Sequence, residues 1–381
     1  MNSFRSSALE CACALIVAAC AGCGQDNGAK EFAVGRSAYE VRDLKKAEKF
    51  LGKSLECAPE DVDRLVLLAR VKLDLGELAA AKDLVAKAAT VSGGDVDVIL
   101  LGSQIAWHLK DYEAAADGFR SVAENVKLPA DIRSQGFSDL GIVEMSGNNH
   151  HLARLALLKA VRLDYRNASA WYHLGLLYRD AFDYREAALE QFEKFVRLEV
   201  SASPRVQKVQ RTIIPALKES IAKGLTDRPG VAKRDSAACA SLIAKAEAAL
   251  KKETPKIARQ RYQEALAADP LSFPAAIGLA QTWLKTDATK TGQTKAFENY
   301  RIACSLRPGA ISTFLTTGAL AVRLGYNAQA VEIYSRAVAA SPNSLEALDG
   351  LIRALRKNGK GKIAQAYQAF RTELSAKSKK K

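Results

Sequence analysis

An alanine followed four residues later by an aromatic recurs along this chain, in Ala115/Phe119, Ala258/Tyr262, Ala296/Tyr300 and Ala330/Tyr334. A proline stands twelve residues after the alanine in Ala47/Pro59, Ala258/Pro270, Ala296/Pro308 and Ala330/Pro342. Extending that register places equivalent alanines at 47, 81, 115, 153, 187, 258, 296, 330 and 364, in steps of 34, 34, 38, 34, 71, 38, 34 and 34 residues. The steps of 38 read as loop insertions and the step of 71 as two periods plus three residues. A fixed period of this length specifies stacked supersecondary units, none of which can bury its apolar face alone. The recurring proline marks where a helix in each unit stops, because it lacks an N–H and its ring clashes with the preceding turn.

Two segments carry the pattern most fully, one over the first helix of a unit and one from end to end of another. One is Trp171-x2-Leu174-Gly175-x2-Tyr178; the other runs Phe314, Gly318, Gly325, Ala330, Tyr334, Ala337, Pro342. This pattern resembles the tetratricopeptide repeat. The resemblance implies an all-α solenoid of antiparallel helix pairs in a right-handed superhelix. Small residues such as Gly318 and Ala330 let paired helices approach, and Tyr334 and Phe314 fill the space beside them. The stretch 61–94 departs from the pattern, with Leu65, Leu68 and Ala69 in place of Trp, Leu and Gly, and Ala188 reads as an insertion after Ala187. The register assigns five repeats to 29–200 and four to 236–375. Residues 201–235 are expected to be a helical linker or a degenerate repeat. In that segment Arg205 to Lys223 is an amphipathic helix interrupted by Pro215, and Thr226 to Gly230 a turn. Residues 376–381 are a basic tail.

The N-terminus reads as an address. After Arg5, the run from Cys11 to Cys23 carries no charge, and it is too short to span a bilayer. Val17-Ala18-Ala19-Cys20 resembles the lipobox of bacterial lipoproteins, which implies a signal peptide over 1–19, lipid attachment at Cys20 and a short tether over 20–28. Cys23 is the alternative attachment site. The resemblance implies palmitate-type acylation and a protein of the bacterial cell envelope, held on the outer membrane and facing the periplasm. Cys57, Cys239 and Cys304 are widely spaced and are expected to be buried apolar residues rather than a zinc site or a disulfide framework.

Little points to catalysis. Four histidines leave scant material for metal or general-base chemistry, and no phosphate loop, H-E-x-x-H or G-x-S-x-G occurs. His150-His151 is expected in a solvent-exposed turn, and Trp107, Trp171 and Trp283 at packing positions. The chain is therefore read as a non-enzyme without cofactor or metal. Its function lies in protein binding, since tandem helix pairs present an extended concave surface. In the tetratricopeptide family the groove-facing positions fall at Tyr172, Leu176 and Arg179 in the fifth repeat and at Asp349, Arg353, Arg356 and Lys357 in the last. The net charge of +14 is uneven: residues 20–200 carry −4, residues 201–381 carry +18. An acidic peptide or helix is the expected partner, clamped by Arg353, Arg356 and Lys357. The alternative is an anionic envelope polymer such as polysaccharide, lipopolysaccharide or teichoic acid. A nucleic-acid partner would suit the charge but conflicts with the leader.

Overall fold

A computed structural model describes residues 27–199 and 203–378. The leader with Cys20 and Cys23 lies outside them, as does the tip of the basic tail. Among the described residues every regular element is helical. In chain order these are α1 (Ala29–Glu40), α2 (Leu44–Cys57), α3 (Val62–Asp74), α4 (Leu78–Val91), α5 (Val96–His108), α6 (Tyr112–Glu124) and α7 (Ala130–Ser146). There follow α8 (His150–Leu163), α9 (Ala168–Asp180), α10 (Arg185–Leu198), α11 (Pro204–Lys208) and α12 (Ile214–Thr226). The last eight are α13 (Ser236–Lys251), α14 (Pro255–Ala268), α15 (Phe273–Thr286), α16 (Lys290–Leu306), α17 (Ile311–Leu324), α18 (Asn327–Ala340), α19 (Leu345–Lys357) and α20 (Gly361–Ser378). The chain divides into two compact units, one of residues 27–149 with 162–164, the other of 150–161 with 165–378. In the first, α1 to α7 pack each on the next. In the second, α9 packs on α10, α10 on α12, and α13 to α20 each on the next.

Local chemistry fixes the helix ends. Asp43, Asp61, Asp111, Asn167, Ser272 and Ser344 cap their helices by accepting a backbone N–H three residues on. Pro59, Pro270, Pro308 and Pro342 each stand two residues beyond the end of α2, α14, α16 and α18. The residue before each proline has left the helical region: Ala58, Asp269, Arg307 and Ser341 have φ between −136 and −143° and ψ between 79 and 97°. In the segment after α10, a π-helical turn over Val209–Ile213 joins α11 to α12. Pro215 follows immediately and has no N–H for the carbonyl of Arg211, so the widened turn seats its ring without breaking the helix.

The alanine register marks the helix contacts. Ala47, Ala81, Ala115, Ala153, Ala258, Ala296, Ala330 and Ala364 are all fully buried. At the ninth position the buried residue is Ala188, and Ala187 is half-buried, so the extra residue precedes the alanine instead of following it. It is absorbed in the α9–α10 loop, where Asp183 has a φ of +50°. Tyr334 shows why glycine is needed beside these alanines. A Cβ at Gly318 on α17 would lie 2.6 Å from its ring, and one at Gly350 on α19 2.1 Å.

In the second unit α8 is tied to α18 and α20 by a charge with no acid. Arg154 is fully buried, as are Ser335 and Tyr367. Its Nε donates to the Tyr367 hydroxyl at 2.7 Å, and its terminal nitrogens donate to the Ser335 carbonyl at 3.1 Å and hydroxyl at 3.3 Å. The guanidinium lies 5.2 Å from the centre of the Phe182 ring and 5.3 Å from that of Tyr367. The Tyr367 hydroxyl in turn donates to the His151 carbonyl at 3.1 Å. Neutral oxygens and ring faces thus take the place of a carboxylate.

Two sequence expectations change here. His150 and His151 do not lie in a solvent turn. They open α8 with both Nδ1 atoms buried and unpartnered, against Phe182. Burial, with smaller contributions from Arg154, Lys360 and His150, pushes His151 down to about 3. Cys239 and Cys304 are buried thiols, as expected, and burial pushes Cys304 up to about 11. Cys57 instead is half-buried and disulfide-bonded. Of the tryptophans, Trp171 is buried, Trp283 packs from its partly covered position against the core of α13 to α15, and Trp107 is partly covered.

Candidate functional site

Helix α19 sorts its residues cleanly by face. Leu348, Leu351, Ile352, Ala354 and Leu355 are buried, while Arg353, Arg356 and Lys357 are exposed on one side. With Asp349, Ile352 and Gln368 of α20, these three cations line a surface depression of about 450 Å3. Asp349 is already engaged, since Arg371 of α20 donates to both its carboxylate oxygens at 2.9 and 3.0 Å. Arg356 reaches only the Gln368 side-chain carbonyl, at 3.4 Å. Among the described ion pairs none involves Arg353, Arg356 or Lys357. The depression therefore presents three unneutralised charges within one helical turn. Arg353 also borders a second hollow of about 250 Å3, with Leu315 of α17, Tyr334 of α18, and Glu346 and Gly350. The first helices of two successive pairs thus contribute to one continuous face.

The expected residues of α9 sit differently. Tyr172, Leu176 and Arg179 are half-buried. The Tyr172 ring packs 5.2 Å from Phe195 and 6.0 Å from Phe192, and the Arg205 guanidinium lies 5.0 Å from its centre. Arg179 is held by its neighbour Asp180, with one contact at 2.8 Å, and lies 5.8 Å from the Phe192 ring. The linker segment that bears Arg205 thus leans on the residues that the repeat register makes groove-facing. Arg353, Arg356 and Lys357 are brought together; Tyr172 and Arg179 are engaged inside the protein.

The sequence of this helix pair carries a recognisable signature: residues 138–201 match the tetratricopeptide repeat family. No curated protein sequence matches. Among solved structures, this chain is similar to MamA 41-end from Desulfovibrio magneticus RS-1, at 19% identity over 48% of this chain and 99% of that one, with a TM-score of 0.41. It is similar to Pseudomonas aeruginosa PilF at 17% identity, over 66% of this chain and 95% of that one, TM-score 0.41. YrrB, described as a TPR protein with an unusual peptide-binding site, aligns at 18% identity over 50% and 90%, TM-score 0.36. Within the described residues of the tetratricopeptide array, no group of three or more His, Cys, Asp and Glu is placed to hold a metal ion, and no helix is long and apolar enough to cross a membrane.

Proposed function

We propose that the chain is a non-catalytic, lipid-anchored scaffold of the bacterial envelope, probed by its partners at the basic face of α19. The observation that carries the docking half is the depression formed by Arg353, Arg356 and Lys357, whose one neighbouring acid is already paired with Arg371. Guanidinium groups held on a rigid helix pair with carboxylates bidentately. An acidic protein segment is the occupant, and the +18 charge of residues 201–381 steers it there. The anchoring half rests on Val17-Ala18-Ala19-Cys20, with Cys23 as the alternative site, and on the outer membrane as the address.

Replacing Arg353, Arg356 and Lys357 together with Glu should weaken capture of a Glu-rich 12-residue peptide at least tenfold, leaving helicity unchanged. Equal capture by the triple variant refutes the docking face. Raising salt separates the peptide from an anionic polymer, whose binding falls more steeply. Radiolabelled palmitate should be lost from Cys20→Ser; label that persists there but disappears from the Cys23→Ser variant moves the anchor, and label in the double variant removes it.

A further inference from the structure

A further cavity among the described residues lies away from the α19 face. It measures about 490 Å3, within the roughly 300–1,000 Å3 range of small-ligand pockets. The start of α10, the end of α12 and the turn after it form one wall. The ends of α16 and α18 and the Pro308-Gly309 turn form the other. These are not the groove positions of the repeats.

Its charges are unequally satisfied. Arg185 is spoken for, donating to Asp183 at 2.9 Å and to the Ser220 hydroxyl at 2.8 Å. Glu190 is paired with Lys194 at 2.7 Å. Arg228 has no carboxylate among its described partners; one terminal nitrogen donates to the Ser305 hydroxyl at 2.7 Å. Burial alone pulls its guanidinium below the usual arginine range, with no acid opposing it. Arg336 contacts Glu332 at 3.2 Å, but its Nε is buried without an acceptor, and the guanidinium lies 5.1 Å from the centre of the Tyr184 ring. Two guanidinium groups therefore border an empty space with donors to spare. The rest of the wall mixes apolar Ile221, Leu225, Phe314 and Ala339 with polar Ser220 and Ser305. Glu186, exposed, lies on the same lining as the already paired Asp183 and Glu190.

We propose that this cavity binds the C-terminal residue of a peptide chain, its carboxylate taken by Arg228 and Arg336 and its apolar side chain laid against Leu225 and Phe314. A carboxylate on an apolar body is the chemistry both halves of the wall ask for. A peptide meets it better than a fatty acid does, because its amide N–H groups can donate to the Glu186 carboxylate on the same lining, which a hydrocarbon chain would only desolvate. This site is independent of the α19 face, so each stands or falls separately.

The test is calorimetric titration of the full chain, without its leader, with N-acetyl-Ala-Ala-Leu, with the same peptide amidated at its C-terminus, and with octanoate. The free acid should bind, and the amide at least tenfold more weakly. Arg228→Gln and Arg336→Gln should each reduce binding of the acid at least tenfold. Gly224→Phe serves as the second variant: a Cβ there meets nothing within 4 Å. The ring should fill the cavity and abolish binding while circular dichroism and melting stay as in the parent. Equal binding of acid and amide overturns the proposal, as does binding of octanoate in preference to the peptide. Undiminished binding to a folded Gly224→Phe protein overturns it as well.

Discussion

Tyr367→Phe removes one oxygen atom and, with it, two buried hydrogen bonds. The Nε of Arg154 loses its acceptor at 2.7 Å, and the His151 carbonyl loses a donor at 3.1 Å. A hydrogen bond to a charged group contributes about 1.5–3 kcal/mol and a neutral one about 0.5–1.5 kcal/mol, so the variant should lose about 2–4 kcal/mol. The loss should appear where α20 meets α8, not along the whole array, because arrays of repeats open locally. Native-state hydrogen exchange on the full chain is the assay. At tenfold per 1.4 kcal/mol, protection of the α20 amides should fall by a factor of about 30–700. Arg154→Met provides the companion measurement. No carboxylate neutralises Arg154, so replacing the ion with an apolar residue of similar length also removes its desolvation cost, and Met should be tolerated better than Phe at 367. The double variant should then be markedly less damaged than the sum of the two. Less than a threefold change in α20 protection, or strict additivity, would refute the role assigned to this buried ion.

Gly350→Ala should destabilise the last helix pairs by about 1–3 kcal/mol, since its Cβ would lie 2.1 Å from the rigid Tyr334 ring; an unchanged urea midpoint would mean the register there is wrong. Burial pushes the Asp139 carboxyl up to about 6, against the hydrogen bond Gln135 donates at 2.9 Å. A raised carboxyl favours folding fully below its unfolded value and loses that contribution as pH rises through about 6, so Asp139→Asn should stabilise by about 1–2 kcal/mol at pH 8 and change little at pH 4. His151 works in the opposite sense. Its lowered value costs stability as pH falls below 6.5, so His151→Leu should flatten the loss between pH 6.5 and 5 in a melting series.

The repeat register was legible because one requirement, a small residue where two helices touch, recurs at eight of the nine expected alanines. The miss at Ala187 was avoidable in physical terms. Ala188 stands four residues before Phe192, the same spacing that set the register elsewhere, whereas Ala187 does not. The cations of α19 were legible for a similar reason: three exposed charges on a helix with a fully apolar opposite face share a side by geometry alone. The surroundings of Tyr172 were only partly legible, because one of its neighbours comes from outside the repeat pattern. Arg205 belongs to the aperiodic segment, and no spacing rule places it over the Tyr172 ring. The Arg154 cluster and the cavity beside Arg228 were invisible for a stronger reason. Their partners lie 181 and 213 residues apart in one case and 77 in the other, and nothing local marks either arginine as different from its many neighbours on helix surfaces.

Arrays of this kind ordinarily lengthen or shorten by duplication or loss of whole units, because each unit depends only on those beside it. The contact between Arg154 and Tyr367 removes that freedom in the second unit. Deleting the 34 residues from Ser312 to Leu345, or inserting a copy of them, would leave every neighbouring pair of helices able to stack. It would nevertheless carry Tyr367, whose hydroxyl is the acceptor for the buried Nε of Arg154, away from that arginine. The arginine acts as a gauge that accepts one number of helix pairs and penalises all others. Homologous chains that keep an arginine at this place should therefore vary in loop length but not in repeat count between it and its tyrosine.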